Sequence, residues 1–235
     1  MDMMKSFLSM KNVNVNNSTF LKYGEFIQRK GHMDKEMDFR LFKNLKTDSF
    51  YLTFDFCPTS EIDRGVINWL IDNKIKATFF ICAEWISMNS GKDMTFVNNP
   101  LFTIGGHGFK HIDPLEQSDE EQLKDINLAI NFWKQNKKEI KWYRVPYGHF
   151  TDFGIQTLMS KGINCASWTG PVLDKKAKYV EDDVHKLSKK WISQYAKAGD
   201  IFVGHANGEG IKTLETLKEL KRIAEEKQIK FDHLK

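Results

Sequence analysis

Carboxylate, imidazole and guanidinium side chains stand in this sequence at the ends of apolar runs. Asp55 closes Tyr51-Leu-Thr-Phe-Asp55, ahead of Phe56, Cys57 and Pro58. Tyr51 to Phe54 have the aromatic and β-branched composition of a buried strand, and Pro58 cannot extend a ladder. A carboxylate at that lip either caps a turn or takes a proton as a general base. His107 and His111, in Gly106-His-Gly-Phe-Lys-His111, are four residues apart. Within one helical turn both imidazoles would share a side and grip one metal ion, although the flanking glycines work against a regular turn. Arg144 leaves the apolar run Lys141-Trp-Tyr-Arg-Val145, with Pro146 behind it. A buried guanidinium needs a carboxylate, and Asp55 is the obvious partner, either in a structural ion pair or as a base that Arg144 keeps ionised. His205 follows Ile201-Phe-Val-Gly204, as a satisfied core histidine or as a proton donor. Asp174 lies in the loop after Cys165-Ala-Ser-Trp168.

The elements that would position these groups alternate along the chain. A helix over 64–74 places Val66, Ile67, Leu70 and Ile71 at helical spacing, and strands are expected over 77–82 and 100–105. Ser118 and Glu121 form a capping box that opens a helix with Leu123, Ile126, Ala129, Ile130 and Trp133 on one stripe. Strands over 141–145, 163–168, 201–203 and 229–234 alternate with helices over 153–161, 182–197 and 211–227; Gly162 supplies a left-handed helix end. Strands alternating with helices mean βαβ units and a parallel sheet. The expected class is therefore α/β, a single distorted (β/α) barrel of about seven parallel strands. All strand C-termini of such a barrel open on one face, so Asp55, His107, His111, Arg144, Asp174 and His205 become candidates for one shared site.

A chain of 235 residues, 41% hydrophobic and 28% charged, can bury one substantial core. Its net charge of +4 comes with acids and bases interspersed and no basic arm, which speaks against nucleic acid. No apolar run approaches the ~18 residues of a membrane span. Residues 1–48 differ in texture, Asn-rich over Lys11-Asn-Val-Asn-Val-Asn-Asn17 and then charge-rich. They are expected to form an N-terminal extension with moderate helical content, ahead of a barrel over 49–235. No export signal is visible near Met1, which would leave the chain cytoplasmic as written, or in the cell envelope or periplasm if a leader has been removed. Cys57, Cys82 and Cys165 are too widely spaced for a CxxC metal cluster, and Cys82 and Cys165 are expected as free buried thiols.

Taken together, these residues resemble the polysaccharide deacetylase (NodB-homology, carbohydrate esterase family 4) domain. Its Thr-Phe-Asp-Asp-Gly-Pro motif is similar to Thr53-Phe-Asp-Phe-Cys-Pro58, and its Ala-Thr-Phe-Phe run to Ala77-Thr-Phe-Phe80. The His-x-x-x-His motif matches Ile104-Gly-Gly-His-Gly-Phe-Lys-His111, Arg-x-Pro-Tyr-Gly matches Arg144-Val-Pro-Tyr-Gly148, and the late histidine matches His205. The resemblance implies a hydrolase that removes N-acetyl groups from an amino-sugar glycan. It implies Asp55 as general base, Arg144 as its orienting partner, His205 as general acid and His107 and His111 as ligands of a divalent metal, zinc first. The backbone N–H of Tyr147 would be the oxyanion donor. Trp168 and Asp174 sit where the family keeps a Trp…Asp-Trp element, with Asp174 expected to polarise Arg144 or its surroundings. Exposed rings among Trp85, Trp142, Tyr147 and Trp168 would stack on sugars.

One departure matters. The family's second aspartate, its carboxylate metal ligand, is Phe56 here, and a phenyl ring cannot ligate. Two imidazoles alone make a poor zinc site. Asp63 or the Cys57 thiolate could complete it, the enzyme could work without metal on a sugar or another C–N amide, or the domain could bind glycan without cleaving it.

Overall fold

Every residue of Ser49–Phe56 is buried, as its continuous apolar and β-branched run requires of a strand with parallel neighbours on both edges. The structure, a computed structural model, describes residues 48–57, 61–89, 94–169, 173–176, 190, 192–207 and 210–235. Within these, the elements in chain order are β1 (Ser49–Phe56), α1 (Arg64–Asp72), β2 (Ala77–Ile81), α2 (Ala83–Met88), β3 (Phe102–Gly106) and α3 (Asp119–Gln135). They continue with β4 (Trp142–Tyr143), α4 (Asp152–Ser160), β5 (Asn164–Cys165), β6 (Lys175–Lys176), β7 (Ile201–Gly204), β8 (Gly210–Ile211), α5 (Thr213–Glu226) and β9 (Lys230–Asp232).

Seven of the strands make one parallel sheet in the order β5-β4-β3-β2-β1-β7, with β9 paired to the first residues of β1. This is the expected distorted α/β barrel. Its closure is irregular. The Ala166 N–H still donates to the Tyr143 carbonyl of β4, but farther on Thr169 and Leu173 donate to the Ile201 and Val203 carbonyls of β7. The strand expected over 163–168 is therefore cut to two residues, and the carbonyls it releases, those of Ala166 and Ser167, accept from Arg144 instead.

Alternation along β1 sorts its side chains between two cores. Phe54 stacks on Phe79 at 5.2 Å, and Phe56 packs edge-on against Trp85 of α2 at 4.8 Å and beside Phe96 at 5.7 Å. The opposite face carries Tyr51, in a second cluster with Phe80, Trp142, Ala166, Ile201 and Leu234. Thr53 and Asp55 continue that inner face toward the strand's C-terminal end.

The capping box of α3 forms as expected, with both the Ser118 hydroxyl and the Glu121 carboxylate engaged. Its stripe is shifted. Ile126, Ala129 and Trp133 are buried, but Leu123 is exposed and Gln122 faces inward, donating to the Pro114 carbonyl and accepting from the Thr151 hydroxyl. Of the helix expected over 182–197, residues 192–195 are helical and most of the remainder lies outside the described residues, as do residues 1–47 of the expected extension. Among the described residues no helix is long and apolar enough to cross a membrane.

Candidate active site

Arg144 is completely buried directly beyond β4, and each of its nitrogens has a fixed acceptor. Nη1 donates to Asp55 Oδ1 and to the Thr53 hydroxyl, each at 2.8 Å, while Nε and Nη2 donate to the Ala166 and Ser167 carbonyls at 3.2 and 2.9 Å. The guanidinium carbon lies 4.3 Å over the Phe80 ring and 5.5 Å from that of Trp168. Gly105 makes room for Phe80, since a Cβ there would stand 2.6 Å from that ring. Burial works against ionising Asp55, but Arg144, His107 and His205 outweigh it and hold the carboxyl below its usual value. The site therefore contains a buried, oriented, ionised carboxylate at the C-terminal end of the central strand.

His107 follows β3. Its Nδ1 lies 2.8 Å from the Arg144 carbonyl, and since a carbonyl only accepts, Nδ1 carries the proton and Nε2 the lone pair. Nε2 points toward Asp55, 4.0 Å from Oδ2. Burial pushes the His107 pKa down and favours the neutral ring that ligation needs. His111 meets His107 through a loop rather than the helical turn considered from the spacing: Gly108 and His111 both have positive φ, +78° and +55°. Asp125, projecting from α3, accepts from the N–H groups of Phe109 and Lys110 and so pins that loop. Cys57 Sγ lies 3.3 Å from His111 Nε2, and donor atoms of Cys57, His107 and His111 all fall within 4.8 Å of one another. Two imidazoles and a thiol at such separations fit a divalent cation with nitrogen and sulfur ligands. Asp63 does not join them: its carboxylate caps α1, accepting from Val66 N–H.

His205 follows β7. Its Nδ1 lies 2.9 Å from Asp174 Oδ1, and its backbone N–H donates to Oδ2 of the same carboxylate. The Thr213 hydroxyl, at the start of α5, also donates to Oδ2. Nδ1 is thus the donor to Asp174, which leaves the ring's other nitrogen, Nε2, as its second polar atom. The expected link between Asp174 and Arg144 is not what the structure shows. The arginine's donors are met by Asp55, Thr53 and two carbonyls, and Asp174 orients His205 instead.

Tyr147 is 52% exposed with φ +59°, its ring 4.8 Å from that of His111. Trp168 is half-buried, its indole against Gly148, where a Cβ would stand 2.5 Å from the ring. Tyr147 thus borders the histidine pair, and Trp168 borders the Arg144 guanidinium. Trp85 and Trp142 do neither: Trp85 lies in the aromatic core, and Trp142 is buried with Nε1 donating to the Lys235 carbonyl. Sequence reasoning passed over Thr213 and Asp125. It also passed over a second buried pair, His149 Nδ1 with Asp113 at 2.9 Å, which ties the loop after His111 to the Pro146–Gly148 turn. Capping preferences could have flagged Asp113, just ahead of Pro114.

Over residues 42–166, just over half of the chain, the sequence matches the polysaccharide deacetylase family model. The chain belongs to the polysaccharide deacetylase family. It is 23% identical over 136 residues to the peptidoglycan-N-acetylmuramic acid deacetylase of Bacillus subtilis (strain 168), covering 57% of this chain and 51% of that protein, so the chain spans about half the length of that relative. It is 22% identical over 163 residues to the chitooligosaccharide deacetylase of Azorhizobium caulinodans, covering 67% and 73% respectively. A solved structure of a CE4-family pseudoenzyme from Bacillus anthracis superposes with a TM-score of 0.65 at 16% identity, over 81% of this chain and 65% of that one. Such a likeness speaks to the fold alone. The family is generally metal-dependent, and the Cys57, His107 and His111 cluster is where this member can hold an ion.

Proposed function

We propose that this polysaccharide deacetylase family member hydrolyses the N-acetyl group of an amino sugar in a glycan. The observation that carries the reading is the joint placement of Asp55 and His107. An ionised carboxylate fixed by Arg144 stands 4.0 Å from the Nε2 of a ligand-type imidazole at the strand ends of the barrel. His205, the second proton-transfer group, is near enough for its charge to affect both.

In this mechanism His107 and His111 would hold a divalent cation. Polarisation of the amide carbonyl and a more acidic water are what a divalent metal, zinc foremost, supplies when bound there. Asp55 takes a proton from the attacking water, and Arg144 keeps its carboxylate oriented throughout. As the C–N bond breaks, His205 gives the Nε2 proton to the departing amine, while Asp174 stabilises the imidazolium and fixes its orientation. The products are acetate and a free amino sugar. Tyr147 and Trp168 offer ring faces to the sugar.

Incubation with N-acetylglucosamine oligomers and N-acetylated peptidoglycan fragments should release acetate in step with new free amines. The second reading is a non-catalytic glycan-binding domain, favoured by Phe56 standing where the family keeps a carboxylate. Saturable binding of these glycans without acetate release would support it and overturn the first.

A further inference from the structure

We propose that Cys57 is the third protein ligand of this centre, a thiolate in place of the family's aspartate. This rests on the reading of the site as a metal-assisted hydrolase centre. Alternation along β1 accounts for the shift by one residue. Phe56 turns into the aromatic cluster with Phe79, Trp85 and Phe96, so its position cannot face the two histidines without dismantling that core. Cys57, just past the strand's last residue, does face them.

The Cys57–His111 distance fits ligation. A tetrahedral ion with bonds of about 2.0–2.3 Å sets its donors about 3.3–3.8 Å apart. Cys57 Sγ and His111 Nε2 are 3.3 Å apart, while the widest of the three donor separations, within 4.8 Å, closes to that range by side-chain rotation as an ion binds. Other carboxylates are committed elsewhere, Asp63 to the cap of α1 and Asp55 to Arg144. His107 presents Nε2 because Nδ1 is bound to the Arg144 carbonyl, the kind of outer contact that orients ligating histidines. A thiolate carries the same single negative charge as the aspartate it replaces, so the ligand set stays balanced against a divalent ion. Its thiol proton leaves to solvent as the sulfur–metal bond forms. Sulfur favours zinc and cobalt, whereas magnesium and manganese prefer oxygen donors.

X-ray absorption at the zinc edge of the zinc-loaded full chain tests the assignment. The expected shell has one sulfur at about 2.3 Å and nitrogens at about 2.0–2.1 Å. Cys57→Ser should lose the sulfur and lower zinc affinity by more than roughly a hundredfold, the upper range for losing a mere outer-shell contact. Cys57→Asp should keep one zinc per chain with an all-oxygen-and-nitrogen shell, which shows that the pocket still folds. A shell without sulfur, a sulfur signal that survives in Cys57→Ser, or no zinc uptake would overturn the proposal. A sulfur shell in a protein that releases no acetate would leave the ligand assignment standing and remove the deacetylase reading. Acetate release with a sulfur-free shell would do the reverse.

Discussion

His107 Nδ1 donates across 2.8 Å to the carbonyl of Arg144, the residue whose own side chain holds Asp55 at the same distance. One residue thus sets both which nitrogen of an imidazole keeps its lone pair and the orientation of the carboxylate beside it. The Arg144 N–H in turn donates to the Gly106 carbonyl, next to His107, so strand pairing between β3 and β4 fixes the relationship.

Removing that guanidinium leaves a buried carboxylate without its counter-charge. Arg144→Met should cost about 3–5 kcal/mol of stability, read as a lowered urea midpoint. Adding Asp55→Asn to Arg144→Met should recover part of the loss, because the unpaired charge is then gone. Double and single variants of equal stability would show that the pair contributes little beyond packing.

Asp174 accepts from three donors, the ring and backbone N–H of His205 and the Thr213 hydroxyl. An asparagine has one oxygen for all three. Asp174→Asn should lower kcat by up to roughly 10²–10⁴-fold, the range that a positioned general acid contributes, with KM nearly unchanged. Steady-state kinetics separate this from a binding defect, which would raise KM instead.

Replacing Phe56 with the aspartate of the family motif should damage the protein rather than improve its metal site. The ring is fully buried, and truncating such a side chain costs about 3–5 kcal/mol before any charge is added. Phe56→Asp should unfold at markedly lower denaturant than the unaltered protein, while Cys57→Asp should not. A stable Phe56→Asp protein with higher metal affinity would contradict the placement of β1.

Most of the fold was legible because β1, β2, β3 and β7 carry dense apolar runs whose period is unambiguous. Asp55, His107, Arg144 and His205 were legible for a related reason, each standing just where such a run stops. What the sequence hid are contacts between distant segments. Asp174 was expected beside Arg144, yet its partner is fixed by how the loop after Trp168 crosses to β7. The strand over 163–168 looked longer than it is because its composition does not reveal that two of its carbonyls serve Arg144. Leu123 fits the apolar stripe of α3, but Gln122 takes the inward position because Pro114 and Thr151 offer it partners.

Acid should weaken the metal-free protein in two stages. Burial lowers the His107 pKa from 6.5 despite the raising influence of Asp55, so the folded state binds fewer protons than the unfolded one and stability falls as pH drops below 6.5. Asp55, whose burial is outweighed by Arg144, His107 and His205, is lowered from 3.8. Its contribution is present above 3.8 and is lost as pH falls further, through its folded value. Urea midpoints across this range should show both declines, and His107→Asn should shrink the first. A midpoint that rises on acidification from 6.5 would reverse the assigned sign.

The most direct measurement is acetate release from N-acetylglucosamine oligomers by chelator-stripped protein, before and after zinc is restored, with Asp55→Asn as the blank. Little release is expected without zinc, with restoration on adding it and a loss of roughly 10²–10⁴-fold in the Asp55→Asn variant. Release that persists in Asp55→Asn, or that ignores the metal, would contradict a base and a metal-holding imidazole pair acting at this barrel mouth.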